Sequence, residues 1–155
     1  MILGIGVDTA DISRFETILA RGTDAFMMRT FTEAEREAAP PEREKTGEAA
    51  ASLGTRRYRA EYFAARFAAK EAVFKAVAHL MPEKTFDLRM VETLHEENGR
   101  PYVSTDGAFG EVMKQTGVTK VHISITTEGH YATAFAIAEG EAPKQASAIE
   151  EGSTE

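Results

Sequence analysis

The hydrophobic pattern changes period several times along the chain, and each change marks an element. Ile2–Val7 is a short apolar run that Asp8 ends, and it predicts a strand. Gly4 and Gly6 share one face of that strand, which predicts close approach by another backbone. Ile12, Phe15, Ile18 and Leu19 recur at helical spacing, so a helix is expected over 11–20, with Asp11 as its N-cap and Gly22 just past its end. Ala25–Phe31 predicts a second short helix. Thr32-Glu-Ala-Glu35 is a capping-box pattern that opens a third, which stops before Pro40-Pro41. Residues 40–57 hold prolines, Gly47, Gly54 and mixed charges, and predict an exposed loop. A long alanine-rich helix is expected over 58–80, ended by Pro82.

The second half reads as strands. Phe86–Glu97 predicts one, Asn98-Gly99 a tight turn, and Pro101–Ser104 a strand pairing back. Ala108–Gln115 predicts a helix closed by Gly117. In Val118–Thr126 the apolar Val121, Ile123 and Ile125 alternate on one face, and Tyr131–Ala138 follows after a turn at Glu128-Gly129-His130. The fold class expected is α+β: one domain over 1–138, with antiparallel strands packed on a long helix. Residues 139–155 are small, acidic and aperiodic, and predict a disordered tail.

Composition narrows the chemistry. The 155 residues suit one domain with its own core. There is no cysteine, which excludes disulfides, thiol nucleophiles and thiolate metal sites. No apolar run approaches the roughly 18 residues of a membrane span, and the N-terminus does not read as a secretory signal, so a cytoplasmic protein is expected. The net charge is -7, with 18 basic and 25 acidic side chains, which disfavours broad nucleic-acid binding. The charge is uneven. The tail carries Glu139, Glu141, Glu150, Glu151 and Glu155 against Lys144. Over 56–75, Arg56, Arg57, Arg59, Arg66, Lys70 and Lys75 outnumber Glu61 and Glu71, and this basic stripe suggests a specific anionic partner.

The long helix also contains an anomaly. Phe63, Phe67, Phe74 and Ala78 form an apolar stripe, and Glu71 falls on it. A carboxylate there is either paired with Lys75 at i+4 or serves as a metal ligand. Asp8, beside an apolar strand, is either a turn former or a second ligand. Two such carboxylates suit Mg²⁺, which takes one or two from protein and the rest from water and substrate phosphates. No P-loop and no GxGxxG motif is present.

Taken together, Gly4-Ile-Gly-Val-Asp8 with Arg14, and Arg66-Phe-Ala-Ala-Lys-Glu71-Ala-Val-Phe-Lys75-Ala, resemble the bacterial holo-acyl-carrier-protein synthase family. Asn98-Gly-Arg-Pro101 is similar to that family's turn between strands, and His122–Thr126 with Tyr131-Ala132 to its last hairpin. The resemblance implies transfer of 4′-phosphopantetheine from coenzyme A to a serine of acyl carrier protein, with release of adenosine 3′,5′-bisphosphate. It implies Asp8 and Glu71 as Mg²⁺ ligands and Lys75 at the pyrophosphate. It implies coenzyme contacts from Arg66, Lys70, Asn98, Gly99, Arg100 and Pro101, and a carrier-protein face at Arg14 and Arg21. It further implies a homotrimer with sites between subunits. Thr127 stands where relatives often have a histidine, and the resemblance implies a coenzyme contact there, made by the Thr127 hydroxyl or supplied instead by His122 or His130. Two other readings stay open at this level. One is a binding module that grips its partner through the basic helix 56–75; the other is a trimeric scaffold without chemistry.

Overall fold

The computed structural model describes residues 1–22, 24–41, 49–82 and 86–141. In chain order these form β1 (Ile2–Asp11), α1 (Ile12–Arg21), α2 (Asp24–Thr30), α3 (Glu33–Glu37) and α4 (Ala49–Val77). There follow β2 (Thr93–His95), β3 (Pro101–Val103), α5 (Ala108–Thr116), β4 (Val118–Glu128) and β5 (Tyr131–Gly140). The architecture is α+β. An antiparallel sheet of order β1-β5-β4 lies against α4, and β2 and β3 form a separate two-stranded hairpin.

Small residues set the spacing between α4 and the sheet. Ala132, Ala134, Ala136 and Ala138 alternate along the central strand β5, all fully buried. Ala60, Ala64, Ala68, Ala72 and Ala76 run down α4 at four-residue steps, also fully buried. A Cβ on Gly4 or Gly6 of β1 would fall 1.9 Å from the carbonyl oxygen of Ala76 or Ala72 respectively. Strand and helix therefore touch backbone to backbone, the approach that the two glycines predict. The phenylalanine stripe faces elsewhere. Phe63 and Phe67 join Phe15 of α1, Phe26 of α2 and Phe31 just beyond it in one aromatic cluster, with ring centroids 4.9–6.5 Å apart. Full burial of each such ring is worth about 1.5–3 kcal/mol.

Local signals predict the helix ends well. Asp11 accepts from Ser13 N–H and caps α1, and Gly22 closes it at φ 62°. Thr32 and Glu35 form the expected capping box. Four boundaries differ from expectation. The loop expected over 40–57 is helical from Ala49 on, while 42–48 lies outside the described residues. Alanine is the best helix former and a single Gly54 costs only about 1 kcal/mol, so α4 extends through it. Of the strand expected over 86–97, only Thr93–His95 is strand. Asp87 accepts from Arg89 N–H and starts a 3₁₀ turn at Leu88–Met90, and the Leu88 and Val91 carbonyls turn to Lys70 rather than to a strand. The strand β1 continues past Asp8 to Asp11, kept in register by the Thr9–Thr133 hydroxyl bond of 3.0 Å. Finally, Glu139 and Gly140, placed in the tail by composition, belong to β5. The Met1 ammonium donates to Gly140 O at 2.8 Å, and Gly140 N–H donates to Met1 O. Residues 142–155 lie outside the described part.

The other face of the sheet has no cover from the described residues. Ile5, Val7, Phe135 and Ile137 are exposed there, paired across strands as Ile5 with Ile137 and Val7 with Phe135.

Candidate active site

The backbone contact at Gly6 decides what meets at the first cluster. Asp8 follows Gly6 by two on the same strand face, toward α4. Glu71 precedes Ala72, whose carbonyl abuts Gly6, and Lys75 lies one turn further along. Lys75 Nζ donates to Asp8 Oδ1 at 2.8 Å and to Val7 O at 3.1 Å. The helix-surface pair between Glu71 and Lys75, one of the two readings of that spacing, does not form; the lysine reaches across to the strand instead. Glu71 is half-buried, and its carboxylate takes no hydrogen bond or ion pair found among the described residues. Burial holds its pKa above the usual value. The negative charge of Asp8 pushes the same way, and Lys75 partly offsets both.

Those features fit a magnesium ion. Two hard oxygen donors come close enough for each charge to act on the other, and one of them has no bonded partner among the described residues. No group of three or more His, Cys, Asp or Glu side chains able to hold a metal occurs among the described residues. A site of two carboxylates that leaves the remaining positions to water and phosphate is what Mg²⁺ accepts.

A second cluster lies one and a half turns toward the start of α4. Arg66 is buried, with its guanidinium 3.3 Å from the centroid of the Tyr62 ring. One Nη is 3.1 Å from His95 Nδ1, another donates to Tyr62 O, and the buried Nε has no hydrogen-bond partner among the described residues. Burial lowers the pKa of Arg66, and burial together with Arg66 lowers that of His95. His95 pairs with Pro101, which ties Arg66 to the β2–β3 turn. In that exposed turn Gly99 has φ 83° and Asn98 Oδ1 accepts from Arg100 N–H at 2.9 Å. Asn98, Gly99, Arg100 and Pro101 are thus joined to Arg66, which lies about 7 Å along the helix axis from Glu71.

Lys70 does not belong with them. It is wholly buried, and Nζ contacts Glu35 Oε2 at 2.7 Å, Leu88 O at 3.1 Å and Val91 O. Three donors are spent on three acceptors, so no donor remains for a coenzyme. Burial lowers its pKa and Glu35 opposes that shift. The basic stripe over 56–75 is therefore not one continuous surface. Arg66 and Lys70 are inside, and Arg57 is spent on Glu61 and the Gly129 carbonyl.

The remaining expected residues stand apart from both clusters. Arg14 and Arg21 are exposed on α1, and the Arg14 guanidinium sits 5.7 Å from the Phe67 ring centroid. Thr127 is exposed on β4, opposite Ala132, and two strands from β1, about 10 Å across the sheet. His122 is 2.8 Å from Glu139 Oε2, and the carbonyl of His130 accepts from Ile12 N–H. Two residues of the site region carried no functional signal in the sequence, His95 and the Lys70 partner Glu35, while Tyr62 was legible only as an aromatic among the arginines of a binding helix. Only Glu35 had a local signal, and that signal was for its cap.

Residues 4–136 match the 4′-phosphopantetheinyl transferase superfamily. A holo-acyl-carrier-protein synthase of Desulforudis audaxviator is 37% identical over 145 residues, covering 94% of this chain and 98% of that one. One from Anaeromyxobacter dehalogenans is 35% identical over 146 residues, covering 92% and 100%. The crystal structure of the synthase from Neisseria meningitidis superposes with a TM-score of 0.66 at 27% identity, covering 90% of this chain and 99% of that one.

Proposed function

The chain belongs to the 4′-phosphopantetheinyl transferase superfamily, and on that premise we propose that it transfers 4′-phosphopantetheine from coenzyme A to a serine of apo acyl carrier protein. Adenosine 3′,5′-bisphosphate is released. One observation carries the reading: Asp8 and Glu71, distant in sequence, come together beside Lys75, and the Glu71 carboxylate has no bonded partner among the described residues.

In this reaction the serine oxygen bonds to the pantetheine-side phosphorus. The bond from that phosphorus to the bridging pyrophosphate oxygen breaks, and the serine gives up its proton to a base. Such a transfer needs positioning and charge neutralisation more than covalent help from protein. Mg²⁺ held by Asp8 and Glu71 would draw charge from the pyrophosphate and make the phosphorus more electrophilic. Lys75 adds a positive charge where the bisphosphate leaves. Arg66 and the turn 98–101 hold the coenzyme, with Arg66 already fixed on Tyr62 and His95. Arg14 and Arg21 meet the acidic carrier protein.

The working unit is a homotrimer in the cytoplasm. The exposed apolar sheet face of Ile5, Val7, Phe135 and Ile137 supports association between copies. The distance of Thr127 from Asp8 in one chain supports a role for Thr127 in a neighbour's site. Among the described residues no helix is long and apolar enough to cross a membrane.

The test is the intact mass of an apo carrier protein after incubation with this protein, coenzyme A and Mg²⁺. A gain of one phosphopantetheine, lost with a chelator, is expected, together with a trimer mass by light scattering. No gain with several carrier proteins would leave the inactive scaffold as the better reading.

A further inference from the structure

The Glu35–Lys70 pair is the most enclosed polar group of the described residues, and the proposed reaction does not use it. Both side chains are fully buried, with Nζ and Oε2 2.7 Å apart. Every other bond they make goes to backbone. Glu35 accepts from Thr32 N–H at 2.9 Å and from Thr93 N–H at 2.8 Å. Lys70 donates to Leu88 O and Val91 O. Segment 88–93 is thus gripped at three backbone atoms, Leu88 O, Val91 O and Thr93 N. A fourth link joins Thr32 Oγ1 to Glu92 Oε2 at 2.5 Å.

That segment leads directly into β2, which is otherwise held by its ladder with β3 and by the His95–Arg66 contact. The strand is three residues long and its sheet has two strands, a unit with marginal stability of its own in water. The other end of the same network reaches Arg66. Tyr62 OH donates to Glu35 O at 2.6 Å, and the Tyr62 ring carries the guanidinium. A buried ion pair is poor evidence of stabilisation, because apolar residues of similar volume often serve as well. What charges can add is a unique geometry.

We propose that Glu35 and Lys70 are positioning residues that set the β2–β3 turn against Arg66 on α4, so that both reach one coenzyme. This rests on the reading of Arg66 and residues 98–101 as the coenzyme site. The test is the full chain with Glu35→Met and Lys70→Met together, which leaves neither charge alone in the core. The coenzyme A KM is expected to rise about tenfold with kcat within about twofold. Amide exchange at Thr93 and Leu94 speeds up, while that at Ala134 and Ala136 does not. An unchanged KM in the folded variant overturns the proposal, whatever the exchange shows. Where the double variant does not fold, Glu35→Gln is read in its place: a KM rise of about threefold at constant kcat supports the proposal, and no rise overturns it. Absence of turnover in the unaltered chain is a failure of the parent reading. The exchange arm then decides the clamp by itself, and unchanged protection at Thr93 overturns it.

Discussion

The helix α4 carries two lysine–carboxylate pairs five residues apart, and they differ in almost every other respect. Lys70 and Glu35 are completely buried, and each of the three lysine donors is matched. Lys75 and Asp8 have side chains 50% and 18% exposed, and beside them Glu71 has no bonded partner among the described residues. Saturation is what separates them. A charge whose valences are all filled by protein holds structure together; a cluster left short of positive charge can take a ligand. The same residue types, on different faces of one helix, therefore serve opposite ends.

The contrast is broken most severely from the buried side. Lys70→Ala leaves Glu35 charged and unpaired in the core and is expected to cost about 3–5 kcal/mol, read as a lower urea midpoint. If its cost matched that of an exposed pair, saturation would not be the difference. Glu71→Gln is the counterpart at the open cluster. It should keep the melting temperature within a few degrees while kcat falls about a thousandfold; near-normal turnover would remove Glu71 from the metal site.

Two smaller effects sharpen the comparison. Lys75 occupies the oxygen that a cation would share, so Lys75→Met should raise Mg²⁺ affinity in the absence of coenzyme by about fivefold, measured by calorimetric titration. Its cost in stability should be below about 1 kcal/mol. The smallest effect is a slope. Glu71 is raised above its unfolded value, so in the window between the two the folded state binds more protons, and stability falls as pH rises through it. Below the unfolded value near 4.5 that penalty is absent, and above the raised value it is complete. Urea unfolding across this range should give a shallower fall in Glu71→Gln than in the parent; identical slopes would show that Glu71 is not strained in the folded chain.

Both pairs also mark the limit of what the sequence could reveal. Helix caps are local, and Asp11, Gly22 and Thr32 with Glu35 were readable within a few residues. Gly4 and Gly6 announced a close backbone approach without saying which element approaches. The alanine faces of α4 and β5 carry no hydrophobic periodicity of note, because alanine acquires meaning only from what packs against it. Lys70 looked like a surface cation for the same reason: its partners Glu35, Leu88 and Val91 come from segments that spacing on α4 cannot see. The motif around Asp8, Glu71 and Lys75 was legible as a family resemblance, but the choice of Asp8 as the lysine's partner was not. The missing start of α4 was a matter of weight, since one glycine and nearby prolines outvoted a run of alanines.

The order of the sheet has a consequence for synthesis on the ribosome. Among the described residues β1 pairs with β5 alone, so strands far apart in the sequence must meet, Ile2 opposite Glu139. Contacts this far apart close late and slow folding. Asp8 is translated early, yet a nascent chain that stops before Tyr131 gives β1 no ladder to join. The place of Asp8 beside α4 thus depends on a strand from the far side of the sequence, with Asp8 pairing opposite Ala134.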